Sequence, residues 1–181
     1  YLAGLISYPR TSSQKLPPSI AYNDILKKLS KQTKLTNYAT RNKPVEGHKS
    51  DPAHPSIYPT GEHSSLAEEE KKLYELIMKR FISCFCEDAI IDNKKIEVTV
   101  DSLKFVARGL QIKEKGWMNV YPAKLQETEL PDINGFVEIK EIRIEEKQTQ
   151  PPKRYSSASL VSELSRRNLG TKATRSAIVE T

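Results

Sequence analysis

The apolar residues of this 181-residue chain change their period once, at Lys95, and that change limits the folds open to it. Before Lys95 they recur at helical spacing. Ile20, Ile25, Leu26, Leu29 and Leu35 form one stripe over residues 20–35, with Lys27, Lys28, Lys31 and Lys34 outside and Ser19 placed as a cap. Leu66, Leu73, Leu76, Ile77, Phe81 and Ile82 form a second stripe over 66–83, opened by the Ser65-x-x-Glu68 pattern of a capping box. After Lys95 the spacing is two. Ile96, Val98 and Val100 alternate with Glu97 and Thr99, Phe105 and Ala107 with Lys104, Val106 and Arg108, and Leu110 and Ile112 continue the run. A turn at Lys115-Gly116-Trp117 then leads to Val120 and Tyr121 as the close of a hairpin, and Val137, Ile139, Ile142 and Ile144 add one or two strands. Helices followed by a half-buried antiparallel sheet make an α+β chain.

Gln148 to Lys153 is a polar, proline-containing linker. Ser156 or Ser157 caps a further helix to about Asn168, with Leu160, Val161 and Leu164 inward, and Gly170 is a good stop. Thr171 then caps a helix that begins Lys172-Ala173-Thr174-Arg175. This is helix-turn-helix spacing. Its second helix start offers free N–H groups, threonine hydroxyls, Lys172 and Arg175, a set suited to phosphate, although two helices that merely pack together would read the same way.

Charge narrows the partner. Lysine and arginine number 29 against 23 acidic residues, giving a net +6 and a pI of about 9.2, which favours a polyanion. No apolar run approaches the roughly 18 residues of a membrane span. Without a signal peptide the expected location is cytoplasmic. Cys84 and Cys86, two apart, fit neither a disulfide framework nor a zinc site, and His48, His54 and His63 match no common ligand spacing.

Two stretches carry the candidate chemistry. Leu2, Ala3, Leu5 and Ile6 deliver Tyr8 to the end of an element, Pro9 biases Tyr8 to an extended backbone, and Arg10 sets a permanent charge two residues from the phenol. Thr11, Ser12 and Ser13 add hydroxyls. A phenol beside a guanidinium is a candidate nucleophile for a phosphodiester, because the charge stabilises the phenolate and holds the phosphate under attack. A packed tyrosine with an exposed arginine would use the same residues. The second stretch, 36–63, is turn-rich, with four prolines and three histidines, and a loop of that length is functional or disordered. In it Pro52 and Pro55 restrain the backbone around His54.

Gly4-Leu5-Ile6-Ser7-Tyr8-Pro9-Arg10-Thr11-Ser12-Ser13 resembles the active-site segment of the type IA DNA topoisomerases. Asp51-Pro52-Ala53-His54-Pro55-Ser56-Ile57-Tyr58-Pro59-Thr60-Gly61 resembles their second signature, and 152–161 and 170–175 resemble two more, in the family's order. The resemblance implies that Tyr8 is the nucleophile and Arg10 its electrostatic partner, both catalytic. It implies that His54 contacts the phosphate next to the scissile one, and that Lys172, Thr174 and Arg175 bind DNA.

It also implies a division into a helical tyrosine-bearing domain (1–93), a β-rich segment of the gate domain (94–150) and the start of a helical, helix-turn-helix-like DNA-binding domain (151–181). The implied substrate is single-stranded DNA or underwound duplex. The implied cofactor is Mg2+, held by an acidic domain upstream that carries an Asp-x-Asp pair. No Asp-x-Asp occurs in the chain, which agrees with an internal fragment.

The sequence departs from the family pattern in places. Ser12 stands where aspartate is usual and Ser157 where glutamate is usual. Pro55 and Tyr58 differ from the commonest bacterial form, and the Asp-Pro-Ala-His-Pro order looks like the archaeal members. Two other readings stay open at this level: a non-enzymatic helix-turn-helix DNA-binding module, and an RNA-acting member of the same family.

Overall fold

The structure, a computed structural model, describes residues 1, 3–51 and 53–180. Leu2 of the first apolar run and Pro52 beside His54 lie outside the described residues, as does Thr181.

Pro17 and Pro18 shape the entry to the first helix. Pro18–Ile20 form a 3-10 turn, Ala21 takes a left-handed backbone (φ 54°), and α1 runs over Tyr22–Ser30. Ser19 therefore lies inside the turn rather than at the cap. The helix is also shorter than the expected 20–35, because Thr33 is extended and its side chain accepts the Leu35 N–H, starting a separate 3-10 turn over Lys34–Tyr38. The face that α1 buries carries Tyr22, Ile25 and Leu29, while Ile20, Leu26 and Leu35 pack at its border.

The second helix, α2, spans Glu68–Ser83. Its cap lies two residues beyond the expected Ser65. The Glu70 carboxylate accepts the Ala67 N–H at 3.0 Å, and Ala67 has no side-chain oxygen to return the bond. Glu68, Glu69 and Glu70 in the first turn and Arg80 in the last complement the helix dipole. The buried apolar residues are Met78, Phe81 and Ile82, continued by Phe85 and Cys86. Leu73 and Leu76, expected inward, are 57% and 45% exposed, since 3.6 residues per turn puts them on the face opposite Met78. The core closes where Tyr22 and Phe81 each bring a ring to within 5.3 Å of Phe85. Full burial of a side chain such as Phe85 or Leu29 stabilises by roughly 1.5–3 kcal/mol.

An antiparallel hairpin follows, β1 (Ile90–Val100) against β2 (Leu103–Glu114). Its turn is Asp101-Ser102, with Asp101 left-handed (φ 50°), and not the expected Lys115-Gly116-Trp117. That second turn signal belongs to a 3-10 turn, Gly116–Asn119, which sends Val120 into the helical core instead of into a return strand. Segment 128–130 lies across β2, exchanging 3.0 Å hydrogen bonds between Leu110 and Thr128. Gly109 permits this approach, because a Cβ there would sit 2.6 Å from the Thr128 carbonyl. The further strands expected at Val137, Ile139, Ile142 and Ile144 do not form; 131–150 is irregular and exposed. A strand needs a partner ladder, and this segment meets none among the described residues.

The chain divides into two compact units, Tyr1–Asn134 and Gly135–Thr181. The second holds α3 (Ser157–Arg166) and α4 (Arg175–Glu180). Ser156 caps α3 as expected: its Oγ accepts the Ser159 N–H, and the Ser159 Oγ accepts the Ser156 N–H at 2.8 Å. Asn168 and Gly170 both turn left-handed after it. The next helix begins at Arg175, three residues later than expected, because Thr171–Thr174 closes as a turn held by the Thr171 N–H to the Thr174 Oγ (2.9 Å). Helices with a two-stranded antiparallel sheet agree with the α+β expectation. No helix among the described residues is long and apolar enough to cross a membrane.

Candidate active site

The tyrosine segment is held by backbone pairing to residues 56–60. Ile6 and Pro59 form an antiparallel bridge; the Ser7 N–H donates to the Tyr58 carbonyl (2.9 Å) and the Thr60 N–H to the Leu5 carbonyl (2.9 Å). Side chains reinforce it, the Tyr58 N–H donating to the Ser7 Oγ at 3.0 Å and the Thr60 Oγ1 to the Gly4 carbonyl at 2.7 Å. Beyond Pro9 the hydroxyls fold the strand onto the same loop. The Thr11 Oγ1 donates to the His54 carbonyl (3.2 Å) and accepts the Ser13 N–H (2.9 Å), while the Ser56 N–H reaches the Lys15 carbonyl (2.8 Å). Asp51 accepts the Ala53 N–H at 3.0 Å and so bends the chain just before His54.

These links bring Tyr8 and His54 together. Their rings lie 4.6 Å apart, centroid to centroid, at 43°. Tyr8 is half-buried, and a second ring, Tyr1, meets it at 5.4 Å and 75°. Arg10 is exposed, and no acidic side chain among the described residues pairs with it, so its charge is available to a ligand. His54 also borders a cleft of about 340 Å³ with Ser13, Lys15, Ser50 and Asp51. An anionic chain laid along this edge would meet an imidazole and a phenol in one place, with the exposed Arg10 two residues beyond the phenol.

Lys172, Thr174 and Arg175 belong to the other unit. The Thr174 Oγ1 is engaged in the Thr171 turn, and the Arg175 Nε donates to the Leu169 carbonyl (2.9 Å), so part of this set organises its own loop. Tyr1 escaped sequence reasoning, although its place seven residues before Tyr8, across Gly4, was the available signal.

Metal chemistry finds little support in these side chains. Among the described residues no three His, Cys, Asp or Glu side chains come together to hold an ion. The residues present therefore do not fit a magnesium site. Cys84 and Cys86 are poor thiolates: burial raises both, and the Cys86 thiol is pushed up to about 11.

A family model described as DNA topoisomerase matches residues 1–181, and the chain belongs to that family, in its type IA branch. It is 46% identical over 99% of its length to the DNA topoisomerase 1 of Methanothermobacter thermautotrophicus, and 41% identical over its whole length to that of Pyrococcus horikoshii. The DNA topoisomerase 3 of Candidozyma auris is 31% identical over 96% of the chain. The chain spans about a quarter of the length of these relatives, 26%, 28% and 29% respectively. The full-length topoisomerase I of Thermotoga maritima shares the fold, with a TM-score of 0.70 over 97% of this chain and 30% of that one, at 24% identity.

Proposed function

We propose that this chain carries the strand-cleaving tyrosine of an ATP-independent type IA topoisomerase, and that Tyr8 is its nucleophile. The single observation that carries the reading is the packing of Tyr8 on His54, with Arg10, exposed and free of acidic partners among the described residues, two residues further along the chain. In the proposed reaction the Tyr8 oxygen attacks a phosphodiester of single-stranded DNA or underwound duplex. The phenolic proton leaves, a bond forms from the phenolic oxygen to the 5′ phosphate, the bond to the 3′ oxygen breaks, and that oxygen takes up a proton. The phosphotyrosine conserves the bond energy, so the 3′ hydroxyl can attack back after the intact strand has passed.

Arg10 offsets the charge that builds on the phosphoryl oxygens, and His54 holds the adjoining phosphate. Lys172, Thr174 and Arg175 are proposed to contact the strand from a helix-turn-helix-like piece. The division at 1–93, 94–150 and 151–181 is the proposed domain layout. Magnesium, where the whole enzyme uses it, is proposed to be held by sequence outside this chain, and the protein to work in the cytoplasm.

The test is covalent trapping. The full-length protein containing this segment is incubated, with magnesium, with 3′-end-labelled single-stranded DNA and then denatured. Label is expected to travel with the wild-type protein and not with Tyr8→Phe. Label on the variant would move the nucleophile elsewhere. No label on either, with DNA still bound tightly, would favour a binding module.

A further inference from the structure

Tyr1 and Tyr8 would stand about 23 Å apart if the seven intervening steps were extended. Instead the chain doubles back. The Gly4 N–H donates to the Tyr1 carbonyl at 2.8 Å, and Gly4 adopts φ +73°, which L side chains rarely take. Among the described residues beyond its chain neighbours, no atom lies within 4 Å of where a Cβ of Gly4 would sit, so the glycine serves the backbone turn. The turn is anchored from outside, since the Thr60 Oγ1 holds the Gly4 carbonyl. Its result is a ring placed near-perpendicular to Tyr8, at 5.4 Å, while His54 meets the same ring at 4.6 Å and 43°. Tyr1 also borders a groove of about 470 Å³ with Leu66, Leu73 and Ile77.

We infer that Tyr1 is a positioning residue for the reaction of Tyr8, its ring restricting the rotation of the Tyr8 phenol so that the nucleophilic oxygen is held toward the bound phosphodiester. The inference rests on the reading of Tyr8 as nucleophile. A tyrosine side chain turns about two bonds, and rotation about the first of them, Cα–Cβ, swings the phenolic oxygen. A perpendicular aromatic pair biases conformers by about two- to tenfold, and in-line displacement is sensitive to misplacement of the attacking atom by an ångström. The role needs the ring of Tyr1 and not its hydroxyl. It acts on the cleavage step and not on DNA affinity.

The experiment is single-turnover cleavage of an end-labelled oligonucleotide by the full-length protein, with DNA affinity measured separately. Wild type is compared with Tyr1→Leu, Tyr1→Phe and Tyr8→Phe. Tyr1→Leu is expected to slow cleavage about tenfold with the Kd within twofold. Tyr1→Phe, which keeps the ring, is expected to recover a rate within about twofold of wild type. Tyr1 is 56% exposed, so these changes leave the helical core untouched. Tyr1→Leu cleaving at the wild-type rate overturns the inference, as does Tyr1→Phe falling as far as Tyr1→Leu, or a loss confined to the Kd. Adduct formation by Tyr8→Phe, or none by wild type, would instead overturn the reading of Tyr8 and this inference with it.

Discussion

Arg10 shows what one residue contributes. It is exposed and free of acidic partners among the described residues, so its charge is not already neutralised by the protein. A donor aimed at charge that develops in the transition state affects rate far more than ground-state affinity. Arg10→Ala is therefore expected to lower the single-turnover cleavage rate about 100-fold or more, the effect of losing one such donor. The affinity for single-stranded DNA should fall by only about threefold, since many phosphate contacts share the binding. Equal losses in rate and affinity would count against the assigned role. Lysine at this position should restore charge but not the two-pronged geometry, and so only part of the rate.

Among the elements, α3 carries a pH signature. Hydrogen bonds from Arg166 first, then Arg167, hold the Glu163 carboxyl at about 2, well below the ordinary glutamate value of about 4.3. A depressed folded value means that the stabilisation is complete above the unfolded pKa and is lost as pH falls through the folded one. The helical signal of α3 should stay level from pH 7 to about 5 and decline between about 4.5 and 2. Amide chemical shifts over 157–166 would follow it. Glu163→Gln should remove the step, and added salt should shrink it, because the cluster is at the surface. A step of unchanged size in Glu163→Gln would assign the titration to another group.

The existence of each helix was legible because periodicity is local, but α1 stops at Ser30 and not 35, and of the expected caps only Ser156 is one. The hairpin turn was not legible. Lys115-Gly116-Trp117 looks at least as turn-like as Asp101-Ser102, and only the pairing of Val100 with Leu103 decides between them.

At the scale of the whole molecule, the site in Tyr1–Asn134 lacks an ion-binding cluster among the described residues, and the chain spans about a quarter of its relatives. The purified 181-residue chain is thus expected to leave supercoiled plasmid unrelaxed in the presence of magnesium, with gel electrophoresis as the readout. Relaxation by this chain alone would show that it holds the full chemistry. The membership of the family was readable from four short segments, in the first of which Tyr8 and Arg10 stand two residues apart.

Covalent adjacency and helical period are properties of neighbouring residues, and for that reason the sequence by itself determined them. The meeting of Tyr8 with His54, the fold-back of Tyr1 across Gly4, the exposed outer face of α2 and the unpaired run at 131–150 were decided only by the tertiary structure. Each depends on which distant segments close a loop together, as the Ile6–Pro59 bridge does. Loop closure is a balance of chain entropy against contacts that no local pattern records.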